Sequence, residues 1–259
     1  EEDTFSFFFD GLPAGWSSAA HEITIGAGVE DRAQPGITPA ANADTGWHDV
    51  TLVGESTDGS VREETTLTVN VVLEPSSIDY TGETYVPIGE PAGFEAAVTM
   101  QSDNSPILGA EVMFELTGPD GNLTVSGTSD ANGVASADPI IDLSAGDYDL
   151  AFSMDRFGKH APASGNVTFR VPTVAERIGD LIEDIAAAGL KRGIENSLTS
   201  KLGGALKHVE AERSTPACNM FGAFSNHVNA QSGKHIPETT ADELLHDVDG
   251  ISAQFGCDA

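Results

Sequence analysis

Asn166-Val167-Thr168-Phe169-Arg170-Val171-Pro172-Thr173-Val174-Ala175-Glu176-Arg177-Ile178 is the stretch in which the chain changes character. Up to Val171, apolar and polar residues alternate with the period of a strand buried on one face. Pro172 has no N–H with which to continue a ladder. Thr173 and Glu176 then stand at the spacing of a capping box, in which each side chain satisfies a backbone N–H at a helix start. Ile178, Leu181, Ile182 and Ile185 follow on one helical face, and Gly189 suits the stop. The chain reads as β before Pro172 and as α after it.

Toward the N-terminus, segments 93–100, 110–117, 122–127, 147–154 and 166–171 alternate in the same way. Turn residues stand at Pro119-Asp120-Gly121 and Ala131-Asn132-Gly133. Residues 75–172 therefore read as a complete β-sandwich. In residues 1–74, Phe5, Phe7 and Phe9 share one side of a strand. Ile23 and Ile25, Val50 and Leu52, and Leu67, Val69 and Val71 continue the pattern, with a hairpin turn at Thr57-Asp58-Gly59. These four or five strands are few for two packed sheets.

Beyond the first helix, Ile194, Leu198, Leu202, Leu206 and Val209 mark a second. Thr215-Pro216 predicts the start of a third, with Met220, Phe221, Phe224 and Val228 as its stripe. Thr240 and Glu243 form another capping box ahead of Leu244, Leu245, Val248, Ile251 and Phe255. Short loops between them predict a small four-helix, up-and-down bundle over residues 173–259. Cys218 opens the third helix and Cys257 follows the fourth; they are the only cysteines. Antiparallel packing of those helices brings the two together. A disulfide there closes a loop of about 40 residues and stabilises by roughly 3–4 kcal/mol; the alternative is two buried free thiols.

Charge narrows the range of partners. Residues 1–172 carry 28 Asp+Glu against 5 Lys+Arg and residues 173–259 carry 13 against 7, nets of −23 and −6 within the total of −29. Nucleic acid and anionic membrane surfaces repel such a chain. Aromatic and β-branched residues are plentiful, so the acid sits on folded modules. Scattered carboxylates fit a secreted protein of a hypersaline habitat; a Ca²⁺-binding surface is the other reading. No run of about 18 apolar residues is present to span a bilayer. The start at Glu1-Glu2-Asp3 is expected to reflect processing or a larger parent.

Three stretches carry resemblances. Asp3-Thr4-Phe5, Gly11-Leu12-Pro13-Ala14-Gly15-Trp16, Ala43-Asp44-Thr45-Gly46-Trp47-His48-Asp49-Val50 and Glu64-Thr65-Thr66-Leu67-Thr68-Val69 resemble secreted prokaryotic Ig-like repeats. In those repeats one or two strands normally precede the position of Thr4. The resemblance thus implies an open edge at Thr4, a candidate assembly edge with Phe8 near it, to be covered by another chain, by a rearranged strand, or by nothing. Gly109-Ala110-Glu111-Val112, Thr128-Ser129-Asp130-Ala131-Asn132-Gly133-Val134-Ala135 and Ala145-Gly146-Asp147-Tyr148 are similar to Ig-like repeats of bacterial and archaeal surface proteins and secreted hydrolases. Gly193-Ile194-Glu195-Asn196-Ser197-Leu198-Thr199-Ser200-Lys201-Leu202 and Ala223-Phe224-Ser225-Asn226-His227-Val228-Asn229-Ala230-Gln231-Ser232-Gly233-Lys234 resemble the FIMAH domain. That helical module closes many secreted multidomain proteins, and the resemblance implies position and setting without chemistry. The implied fold is two Ig-like β-sandwiches, 1–74 lacking its N-terminal strand or strands and 75–172 complete, followed by the bundle at 173–259.

Each candidate site has a plainer alternative. His208, His227, His235 and His246 invite a metal, but none stands at zinc-ligand spacing. Asp120-Gly121-Asn122 and Asp130-Ala131-Asn132-Gly133 begin like calcium loops yet lack a closing Glu, and Asp or Asn before Gly is ordinary turn chemistry. Asp147 and Asp149 share a strand face, as a Ca²⁺ site or as a solvated one. Asn122-Leu123-Thr124 and Asn166-Val167-Thr168 are glycosylation sequons. Trp16, Trp47, Phe8, Tyr80, Tyr85 and Tyr148 form either a sugar platform or core. No Gly-x-Ser-x-Gly elbow or phosphate loop occurs.

The expectation is a non-catalytic extracellular adhesion, spacer or assembly region without a cofactor, Ca²⁺ aside. Its partners would be an upstream part of the same precursor or neighbouring surface subunits. The alternative is an accessory region of a secreted hydrolase that binds polysaccharide or protein substrate.

Overall fold

The computed structural model describes residues 2–118 and 121–257. Pro119 and Asp120, which open one expected turn, lie outside the described residues. The first strands are β1 (Glu2–Asp10), β2 (Ser17–Ala19), β3 (His21–Gly26), β4 (Gly36–Thr38), β5 (Gly46–Ser56) and β6 (Arg62–Val71). Four of them form an antiparallel sheet in the order β3-β1-β5-β6, while β2 and β4 pair as a separate ribbon. Trp16, Ala43 and Val50 are buried where the ribbon meets the sheet, with Phe9, Leu12, Ile37 and Val71 packed around them.

The expected open edge at Thr4 and Phe8 does not form. Thr4 pairs with Thr24 of β3, and Phe8 pairs with Val53 of β5, so β1 lies inside the sheet. The chain returns to the far side of β1 only after residues 27–45, a pairing that local alternation does not encode. The free edges belong to β3 and β6.

The next strands are β7 (Ser76–Tyr80), β8 (Phe94–Met100), β9 (Glu111–Gly118), β10 (Gly121–Thr128), β11 (Val134–Ala137), β12 (Gly146–Met154) and β13 (Ala163–Val171). They make a four-stranded sheet, β10-β9-β12-β13, and a three-stranded sheet, β11-β8-β7. The two face each other as a β-sandwich. Phe94 from the smaller sheet meets Phe114 and Phe169 from the larger one, with ring centroids 5.7 and 5.5 Å away. Tyr148 packs across Gly118, where any Cβ would stand 2.2 Å from its ring.

Four helices follow: α1 (Val174–Ala187), α2 (Arg192–Glu210), α3 (Ser214–Gln231) and α4 (Glu238–Phe255). Each packs on the next and α4 on α1, around a core that includes Ile178, Leu181, Leu198, Leu202, Phe221, Phe224, Leu244 and Val248. At α1 the capping box forms. Thr173 Oγ1 accepts from Glu176 N at 3.2 Å, and Glu176 Oε2 accepts from Thr173 N at 2.8 Å. Thr173→Ala is expected to cost about 1 kcal/mol in urea unfolding followed by helical circular dichroism. The other two caps differ from expectation. Thr215 is the second residue of α3, behind Ser214, and Thr240 is the third of α4, whose N-cap is Pro237. Pro237 O accepts from Ala241 N at 2.9 Å, which starts α4 earlier than Thr240. Among the described residues no helix is long and apolar enough to cross a membrane.

Candidate functional site

The sheet of residues 2–71 is two-faced. Register places Phe5 opposite Ile23, Phe9 opposite Leu52 and Val50 opposite Leu67 on one face. Phe7 lies over Gly54, where a Cβ would stand 2.9 Å from its ring. The ribbon β2-β4 with Trp16 covers only the Phe9–Val50 end. Phe5, Phe7, Ile23, Ile25 and Leu52 stay half-buried, and Leu67 is 40% exposed. The corresponding face of the second sandwich is covered by three strands. On the other face Arg62 bonds Glu55 and Glu64 at 2.9 and 2.8 Å and lies 5.9 Å from the Phe8 ring centroid.

Two joints connect these parts. At the first, Arg156 Nη2 donates to Ala43 O. Glu74 N donates to Lys159 O and Ala161 N to Glu74 O, while Lys159 Nζ reaches the Glu74 carboxylate at 2.8 Å. The second joint is denser. Tyr85 OH donates to Asp180 on α1; burial, and then that carboxylate, pushes the phenol pKa up, so it remains a neutral donor. Arg170 bridges Asp147 and Glu176 at 2.9 and 2.6 Å. Arg177, only 8% exposed, donates to Gln254 Oε1 at 3.1 Å, and Gln254 Nε2 donates to Pro172 O at 2.9 Å. Gly250 leaves the space for Arg177, since a Cβ there would stand 2.7 Å from Nη2. His246 approaches Glu90 at 3.6 Å. Neither Arg177 nor Gln254 stands out in the sequence. The one local signal is an arginine beside Ile178 on the apolar side of α1.

The remaining candidates scatter. Asp147 faces Arg170, and Asp149 Oδ1 accepts from Asn166 Nδ2 at 3.0 Å, so both carboxylates have cross-strand donors. That bond engages the sequon amide of Asn166, whereas Asn122 is exposed at the start of β10. Asp130 accepts from the N–H groups of Val134 and Asn132, which makes its loop a turn and holds its carboxyl below the usual range. Trp16 and Tyr148 are core, Tyr80 and Phe8 are half-buried, Tyr85 is at the second joint, and Trp47 is 72% exposed. They do not share a platform. Cys218 and Cys257 form a disulfide with Cα atoms 5.6 Å apart.

The histidines have separate neighbours. His235 Nδ1 lies 3.3 Å from Lys191 Nζ. His227 Nδ1 lies 3.0 Å from Lys201 Nζ and 3.1 Å from Ser197 Oγ. Lys201 also donates to Ser197 O at 3.2 Å and Oγ at 2.8 Å, so its three donors close on α2 and α3. Among the described residues no three His, Cys, Asp or Glu side chains converge to hold a metal. Burial, then the Lys201 ammonium, lowers the His227 pKa from its ordinary 6.5. The unfolded chain therefore takes up this proton first as pH falls. The contribution is present above the unfolded pKa of about 6.5 and is lost as pH drops toward the folded value. Between about pH 7 and about pH 5, the thermal midpoint of the native chain should fall further than that of His227→Gln.

No family model and no curated protein matches the chain. Among solved structures it is similar to the fibronectin(III)-like modules of Clostridium thermocellum CbhA. The identity is 14% over 64% of this chain and 94% of that one, with a TM-score of 0.30. It is similar to the D00-D0 domain of intimin at 16% identity, covering 63% and 83% with a TM-score of 0.26. It is also similar to the chicken interferon gamma receptor alpha chain at 8% identity and a TM-score of 0.30. That match covers 48% of this chain and 66% of the receptor chain, just under two thirds. The sandwich assignment rests on the sheets themselves.

Proposed function

We propose that this chain is a stiff, non-catalytic spacer and assembly region of a secreted or cell-surface protein adapted to high salt. The observation that carries the reading is the second joint. A sandwich and a helical unit are fastened by the Arg177–Gln254–Pro172 relay, with Tyr85–Asp180 and Arg170–Glu176 beside it. A linker meant to bend has little use for a buried arginine whose site is shaped by a glycine on another helix.

Three separate buried clusters support modules at 1–74, 75–172 and 173–259, the first two Ig-like and the last FIMAH-like. The disulfide supports an oxidising, extracellular setting. The charge of −29 supports a haloarchaeal or similarly saline source, where carboxylates keep the surface hydrated. Its partners would be the upstream part of the same precursor or neighbouring surface subunits. One observation favours the accessory-region alternative: Trp47 is exposed on the polar sheet face. Cosedimentation with insoluble polysaccharide that is lost in Trp47→Ala would select that alternative. The stiffness that defines the spacer is read from the spread of distances between two labels across the second joint.

A further inference from the structure

A groove of about 320 Å³ opens at the first joint. Its floor is apolar, made by Pro39, Ala40, Val71, Val72 and Leu73. Val72 is 71% exposed there. The groove is also distinctive in charge. Residues 1–172 hold 28 carboxylates and 5 cations, yet no carboxylate lines the groove and two of those cations, Arg156 and Lys159, do.

The two cations are not equivalent. Lys159 is neutralised by Glu74 at 2.8 Å. Arg156 forms no ion pair among the described residues. It is held by backbone oxygens instead: Nε donates to Gly158 O at 3.1 Å and Nη2 to Ala43 O. A guanidinium has five N–H donors, so about three are uncommitted on a side chain whose position is already set. A pre-positioned guanidinium beside an apolar trough matches a ligand with a carboxylate head and a hydrocarbon tail.

We propose that this groove binds a free aliphatic carboxylate, with its head on Arg156 and its tail along Val71–Leu73. Arg156 belongs to the β12–β13 loop, whereas Val71–Leu73 leave the first sheet. A bound molecule therefore touches both sandwiches and braces the joint between them. This assignment is independent of the spacer reading.

Calorimetric titration of the full chain with hexanoate, at the lowest salt concentration at which circular dichroism shows the chain folded, is the test. Saturable binding is expected. Affinity should fall ~10–100-fold in Arg156→Gln and with hexanol in place of hexanoate, the scale of losing a charge-assisted hydrogen-bonded pair. Val72→Asp, at an exposed position, should also weaken binding, while Arg32→Gln should not. Absence of saturable heat with hexanoate would overturn the proposal. So would equal affinity in folded Arg156→Gln, or equal affinity for hexanol.

Discussion

Cys218→Ser is expected to lower the stability of the helical region by about 4 kcal/mol, as the chain-entropy model gives for a closed loop of this size. The disulfide spans 39 positions and ties Cys218, in the first turns of α3, to Cys257, two residues beyond α4. Without it, the unfolded ensemble regains the freedom of both helices and the turn between them. The folded state loses little, because Phe221, Phe224, Leu244 and Val248 still pack. Both cysteines are partly accessible, so reductant should lower the native chain to the level of the variant. It should leave Cys218→Ser itself unchanged. Urea unfolding read at a helical wavelength, with and without reductant, gives all four values. Reduction that costs the native chain nothing would mean that the cross-link adds no stability.

Phe94→Ala should cost about 3–5 kcal/mol, the range for truncating a buried aromatic. Phe94 is fully buried and touches Phe114 face to face and Phe169 edge-on. It stands on the three-stranded sheet while both partners stand on the four-stranded one. Its removal therefore opens a cavity between the sheets, and neither backbone can close it without losing register. Phe7→Ala provides the contrast. Phe7 is half-buried on a sheet that lacks a full second layer, so its loss should be several-fold smaller. Equal losses at the two positions, measured by denaturant unfolding, would contradict the difference in cover between the two sandwiches.

What could be read from sequence was local. The capping box at Thr173 and Glu176, the alternation of 110–117 and 147–154, and the apolar face of α1 need only neighbours within a turn or a strand. β7 and β11 were not legible because five and four residues show too little period against their surroundings. The interior place of β1 is hidden in the sequence for a different reason. Which strand lies beside which is a long-range choice, made here by β5 returning against Phe8 and Phe9. The joints were hidden by the same distance: Tyr85 and Asp180 are 95 positions apart, and Arg177 is buried because Gly250 on α4 leaves it room. Asp147 and Asp149, open from sequence either to a Ca²⁺ site or to a solvated face, show that two acids on one face mean little until the opposite strand is known. Arg170 and Asn166 stand there.

The second sandwich and the helical unit are expected to move as one body. Pulsed electron-spin distance measurement tests this most directly, with labels at Thr124→Cys on β10 and Asn229→Cys on α3, both exposed positions. One narrow distance distribution is expected in low and high salt, broadened when Arg177 and Gln254 are both replaced by alanine. A broad distribution in the otherwise native chain, unchanged by that double replacement, would contradict it.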